Sequence, residues 1–193
     1  MDILKNIKLV IFDFDGTLFH LDVDIDTLRQ DLKVSPNENI GDIIQRYITN
    51  KDSRLDIITD AEVKSIDEWQ LSDDVIKVLN QLVTLNVKIG VFTRNSRRAV
   101  ETVLDNSGFT MPITIVGRED VVRQKPKPDG ILLLMEQLGV INKETIVVGD
   151  TTHDVEAAKF AGVHVIIVEN KHLVFRPDGA DYYIDDIRQL TEL

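Results

Sequence analysis

Leu9-Val10-Ile11-Phe12 is an unbroken apolar run flanked by polar residues. A run this short, rich in β-branched residues, predicts a strand buried on both faces. The signature returns at residues 87–92, 113–116, 146–148 and 163–168, and residues 182–184 suggest a short edge strand. Helical spacing fills the intervals. Ser72-Asp73-Asp74 caps a helix whose inner face is Val75, Val78, Leu79, Leu82 and Val83. Residues 96–106 read as a helix stopped by Gly108, and residues 153–161 as one stopped by Gly162. Pro128 suits the first residue of a helix that ends at Gly139. Strands alternating with helices predict parallel pairing through right-handed crossovers, hence a three-layer α/β fold.

Residues 21–70 break that alternation. They are acidic and hold no buried strand run. Leu28 and Leu32 lie four apart, and Ile40, Ile43, Ile44, Tyr47 and Ile48 form a helical stripe after the break at Pro36-Asn37. The expected organisation is a core of residues 1–20 and 71–193 with a small helical unit, residues 21–70, inserted after the first strand.

The 193 residues suffice for one α/β domain with a modest insertion. With 22 basic and 33 acidic residues the net charge is −11, which argues against general nucleic-acid binding. The absence of cysteine excludes disulfides, thiol nucleophiles and Cys-containing zinc sites. Met1–Asn6 does not read as a signal peptide, and no apolar stretch reaches bilayer-spanning length. The expectation is a cytoplasmic protein without membrane or nucleic-acid partners, monomeric or homodimeric.

In doubly wound folds ligands bind beyond the carboxyl ends of the strands. Asp13-Phe14-Asp15-Gly16-Thr17-Leu18 follows the first strand, Thr93-Arg94-Asn95-Ser96 the second, and Gly149-Asp150-Thr151-Thr152-His153-Asp154 the run at 146–148; Lys125-Pro126-Lys127-Pro128 lies between. Taken singly, an Asp-x-Asp is a common turn device and a lysine is usually a solvated surface charge. Their occurrence together, each after the proper element, points to one site. Asp13, Asp15, Asp150 and Asp154 would repel one another unless a hard divalent cation sat among them, and an all-oxygen set favours Mg2+. Lys125 adds a positive charge, Thr93 a hydroxyl, and Gly16 lets backbone amides approach an anion. Together these groups make a phosphoryl cradle, and a carboxylate beside it can form an aspartyl phosphate.

These motifs resemble those of the haloacid dehalogenase superfamily, in its phosphatase branch near phosphoglycolate phosphatases, and the resemblance covers nearly the whole chain. It rests on Asp13–Leu18 together with Thr93, Lys125, and Gly149-Asp150 with Asp154. The stretches at residues 116–120 and 157–163 add to it. It implies a Rossmann-like core with a helical cap at residues 21–70. It also implies a Mg2+-dependent phosphatase acting on a small-molecule phosphate monoester. Asp13 would be nucleophile and metal ligand. Asp15 would be general acid and base, lending its backbone carbonyl to the metal. Asp150 would ligate Mg2+, with Asp154 beside it. Thr93 and Lys125 would hold the phosphoryl oxygens, helped by Gly16, Arg94 and Asn95. An insert of about 50 residues is short for a cap of this branch, which leaves the substrate open. Arg46, Lys51 and Arg54 read as exposed helix charges, and His153 as a helix-start residue without catalytic duty. A β-phosphoglucomutase-type phosphomutase shares the motifs. A phospho-acceptor signalling module also groups acids, Thr and Lys, but places its acceptor after the third strand.

Overall fold

The computed structural model describes residues 3–170, 173 and 176–191. Six parallel strands form one sheet: β1 (Leu9–Phe12), β2 (Lys88–Phe92), β3 (Ile113–Val116), β4 (Thr145–Gly149), β5 (His164–Val168) and β6 (Tyr182–Ile184). Their order is β3-β2-β1-β4-β5-β6, so the chain reverses direction across the sheet about β1. Leu9 pairs in register with Lys88 on one side and with Thr145 on the other, and β1 is therefore central.

The alternation of side chains along β1 builds two cores. Val10 and Phe12 join Ile89, Val91, Leu79 and Val100 on one face of the sheet. Leu9 and Ile11 join Phe92, Leu134, Val147 and Val155 on the other. Each such fully buried side chain contributes about 2 kcal/mol to folding. Helices α4 (Asp73–Thr84) and α5 (Arg97–Asn106) cover the first face, with Ser72 and Ser96 as N-caps. Helices α6 (Asp129–Leu138) and α7 (Thr152–Ala161) cover the second, closed by Gly139 and Gly162 in the left-handed conformation. Pro128 is the N-cap of α6 rather than its first residue.

The insert folds as α1 (Ile25–Leu32), α2 (Ile40–Asn50) and α3 (Leu55–Ile66). Asp24 and Asn39 cap the first two. Leu28, Leu32, Ile43, Tyr47 and Ile58 form a separate apolar cluster. Helix α3 faces two ways. Ile58 belongs to that cluster, Ile66 to the main core, and buried Glu62 sits between them on the same helical face. Among the described residues, no helix is long and apolar enough to cross a membrane.

Candidate active site and its buried ion pairs

Asp13 is the first residue past β1, and its N–H extends the ladder to the Val148 carbonyl at 2.8 Å. The chain then turns sharply, with the Leu18 and Phe19 amides both donating to the Phe14 carbonyl. Gly16 makes this turn possible: its φ is +86°, and a Cβ there would collide with the Asp150 carboxylate. Asp15 is half-buried and accepts from the Leu21 N–H at 2.9 Å.

Lys125 reaches into the same place from the loop before α6. Its Nζ lies 2.7 Å from Asp13 Oδ1 and 2.7 Å from Asp154 Oδ1. Asp154 stands in the first turn of α7, where its Oδ2 accepts from the Thr151 N–H and hydroxyl at 3.0 and 2.6 Å. Asp150, just past β4, accepts from Thr17 Oγ1 at 3.2 Å and from Asn170 Nδ2 at 2.6 Å. Asp13, Asp150 and Asp154 each present one oxygen within 4.8 Å of the others.

One ammonium thus faces three carboxylates. Burial pushes the Asp13 carboxyl up to about 7; Lys125 pulls it down, while Asp154 and Asp150 push it further up. Burial also raises Asp15 and Asp150. Burial would raise Asp154 too, but the Lys125 charge and the hydrogen bonds from Lys125 and Thr151 outweigh it and hold that carboxyl low. For Lys125, burial favours the neutral amine, yet Asp13 and Asp154 keep the ammonium above its usual range. A hard divalent cation fits this donor set: the ligands are all oxygen, they converge, and they are short of positive charge.

Thr93, at the end of β2, is fully buried and donates to Asn95 Oδ1 at 2.7 Å. Asn95 in turn donates from Nδ2 to Glu62 Oε1 at 3.1 Å. Glu62 Oε2 also accepts from the Ser96 N–H and hydroxyl. Arg118, only 2% exposed, donates to both Glu62 oxygens at 2.8 and 2.6 Å. Sequence reasoning missed Glu62. Its signal is an acid four residues from an isoleucine on either side, Ile58 and Ile66, on one helical face. It also missed Asn170 beyond β5.

A cavity of about 570 Å3 opens between the insert and the strand ends. Asp13, Asp15, Thr93, Asn95 and Lys125 form its floor, and Val23, Ile25, Ile40, Ile44 and Ile58 line the insert side. Arg94 and His153 stand at its margin and also line a neighbouring cavity of about 470 Å3. Burial, then the charge of Arg94, lowers the His153 pKa. Arg46 and Arg54 pair with Glu38 and Asp52; these two arginines and Lys51 stay outside both cavities.

A model of the haloacid dehalogenase-like hydrolases matches residues 24–168. A phosphoglycolate phosphatase of Rhodospirillum rubrum is 27% identical over 83% of this chain and 79% of its own length. The pyrophosphatase PpaX of Oceanobacillus iheyensis is 25% identical, covering 97% of both chains. The crystal structure of CbbY from Rhodobacter sphaeroides in complex with phosphate shares the fold, with a TM-score of 0.71 at 21% identity over 95% of this chain and 96% of that one. With its parallel sheet, its acidic strand ends and a match over residues 24–168, the chain belongs to the haloacid dehalogenase-like hydrolases and is an enzyme of their phosphatase branch.

Proposed function

We propose that the chain is a Mg2+-dependent phosphomonoesterase that hydrolyses a small phosphorylated metabolite through an aspartyl phosphate on Asp13, with the helical insert as its cap. The observation that carries this reading is the pairing of Lys125 with both Asp13 and Asp154, 2.7 Å each, on the floor of a roofed cavity. Relatives named phosphoglycolate phosphatase and pyrophosphatase support phosphoryl-group hydrolysis.

Asp13, Asp150 and the backbone carbonyl of Asp15 would hold Mg2+, and Asp154 Oδ1 keeps a lone pair for it beside Lys125. When bound, Mg2+ neutralises phosphoryl oxygens and keeps Asp13 ionised. Asp13 attacks phosphorus, and the bond to the leaving oxygen breaks. Lys125, the Thr93 hydroxyl and Asn95 bind the phosphoryl oxygens, with Thr93 turning from Asn95 to do so, whereas the Gly16 N–H is committed to the Phe19 carbonyl at 2.7 Å. Asp15 protonates the leaving oxygen. Its carboxyl is raised by burial, the direction that favours a general acid. Ionised Asp15 then takes a proton from water, the water attacks phosphorus, and the bond to Asp13 breaks. In a phosphomutase a sugar hydroxyl would replace that water.

The test is release of p-nitrophenol and phosphate from p-nitrophenyl phosphate with Mg2+ and after exhaustive chelation. Turnover that needs Mg2+ supports the reading. Full activity after chelation overturns it.

A further inference from the structure

The cavity over Asp13 contains a cation that the chemistry above does not use. The backbone of Arg94 is fixed from below, because its carbonyl accepts from Arg118 Nη1 at 3.4 Å. Its side chain runs the other way, to the seam between core and cap. There the guanidinium lies against Gly41 in the first turn of α2, where a Cβ would strike it. Among the described residues no carboxylate pairs with Arg94. Glu62 lines the same cavity but is occupied by Arg118, while Asp22 and Asp42 line the two cavities without reaching it. Lys125 is committed to Asp13 and Asp154. The cap contributes no lysine or arginine to either cavity, and its side of the larger one is mostly aliphatic.

A half-buried, unpaired guanidinium beside an apolar wall is an anion site. We propose that Arg94 determines specificity, and that the substrate's leaving group carries a second anionic group, a carboxylate or a further phosphate, which Arg94 receives. Arg94 thus contacts the leaving group rather than the transferred phosphoryl group. The aliphatic wall covers the carbon skeleton between the two anions. An alkyl phosphate with an uncharged tail fills the same space but leaves Arg94 desolvated and unmatched. This inference rests on the phosphatase reading.

The test compares three series of alkyl phosphates with chains of two to five carbons, ending in a hydroxyl, a carboxylate or a second phosphate. For the best chain length, the wild-type enzyme should show kcat/KM at least about tenfold higher for an anionic member than for the hydroxyl member. The better anionic series identifies the group. Arg94→Gln should bring the ratio to within about threefold, and Arg94→Glu should invert it. Gly41→Ala, whose Cβ would strike the guanidinium tip and come within 3.0 Å of the Asn39 capping oxygen, should reduce the ratio too, and it keeps the question answerable if an Arg94 variant misfolds. Equal rates in all series, or a ratio that survives in Arg94→Gln, overturn the inference. Failure of the wild-type enzyme to hydrolyse p-nitrophenyl phosphate as well would instead overturn the phosphatase reading.

Discussion

Arg118 and Glu62 form a two-pronged ion pair, 2.8 and 2.6 Å, and both side chains are almost wholly buried. Glu62 comes from α3 and Arg118 from just beyond β3. The same carboxylate receives Ser96, the N-cap of α5, and Asn95, the partner of Thr93. One acid from α3 thereby holds the loop proposed to bind phosphate.

Removing either partner should therefore damage folding. Glu62→Ala leaves the Arg118 guanidinium buried without its carboxylate and should cost about 3–5 kcal/mol. Glu62→Leu combined with Arg118→Met removes both charges and should recover much of that loss. Urea unfolding monitored by circular dichroism measures both, and a loss below about 1 kcal/mol for Glu62→Ala would show the pair to be marginal.

Asp13→Asn should abolish turnover, because an amide neither attacks phosphorus nor ligates metal well. Its effect on the metal-free fold depends on pH. The Asp13 pKa rises from 3.8 to about 7 on folding, so the stability linked to its protonation is complete below about pH 4 and is lost as pH climbs to 7. The amide mimics the protonated acid. Without metal the variant should be more stable than wild type at pH 8, by an amount on the order of a few kcal/mol, and the difference should vanish near pH 4. Melting curves across that range, with chelator present, check it.

Metal binding should carry the opposite pH dependence. A ligand carboxyl raised to about 7 must lose its proton first, so Mg2+ affinity should climb roughly tenfold per pH unit below 7 and level off above it. Calorimetry in two buffers of different ionisation enthalpy would detect the released proton. Ca2+ should bind but not support turnover, since its longer, looser coordination misplaces Asp13.

The strands were legible as short, mostly apolar runs, and β1, β2 and β4 each end in polar residues of the site. Asp13, Asp150 and Asp154 converge, Lys125 pairs with two of them, and Thr93 lines the cavity over Asp13, whereas the Asp15 carboxylate, expected as a fourth member, stands outside that group. Helices α1 and α2 were legible from Leu28, Leu32 and the stripe through Tyr47. Glu62 was not, because a lone acid in an acidic helix looks solvated until its partner is known, and Arg118 is 56 residues away. The orientation of Arg94 was equally hidden, since it depends on Gly41 of a helix packed across the seam.

Asp15→Asn isolates the step on which the proposed chemistry turns. The amide cannot protonate a leaving alkoxide or activate water, although its backbone carbonyl remains. p-Nitrophenolate leaves without protonation, so phosphoryl transfer to Asp13 should survive while hydrolysis of the phosphoenzyme stalls. Acid quench of the Mg2+-loaded variant with p-nitrophenyl phosphate, followed by intact-protein and peptide mass spectrometry, should show a burst of about one nitrophenol per site and one phosphoryl group on Asp13. Steady turnover near the wild-type rate, with neither burst nor adduct, would contradict the assignment of Asp13 as nucleophile and Asp15 as acid and base.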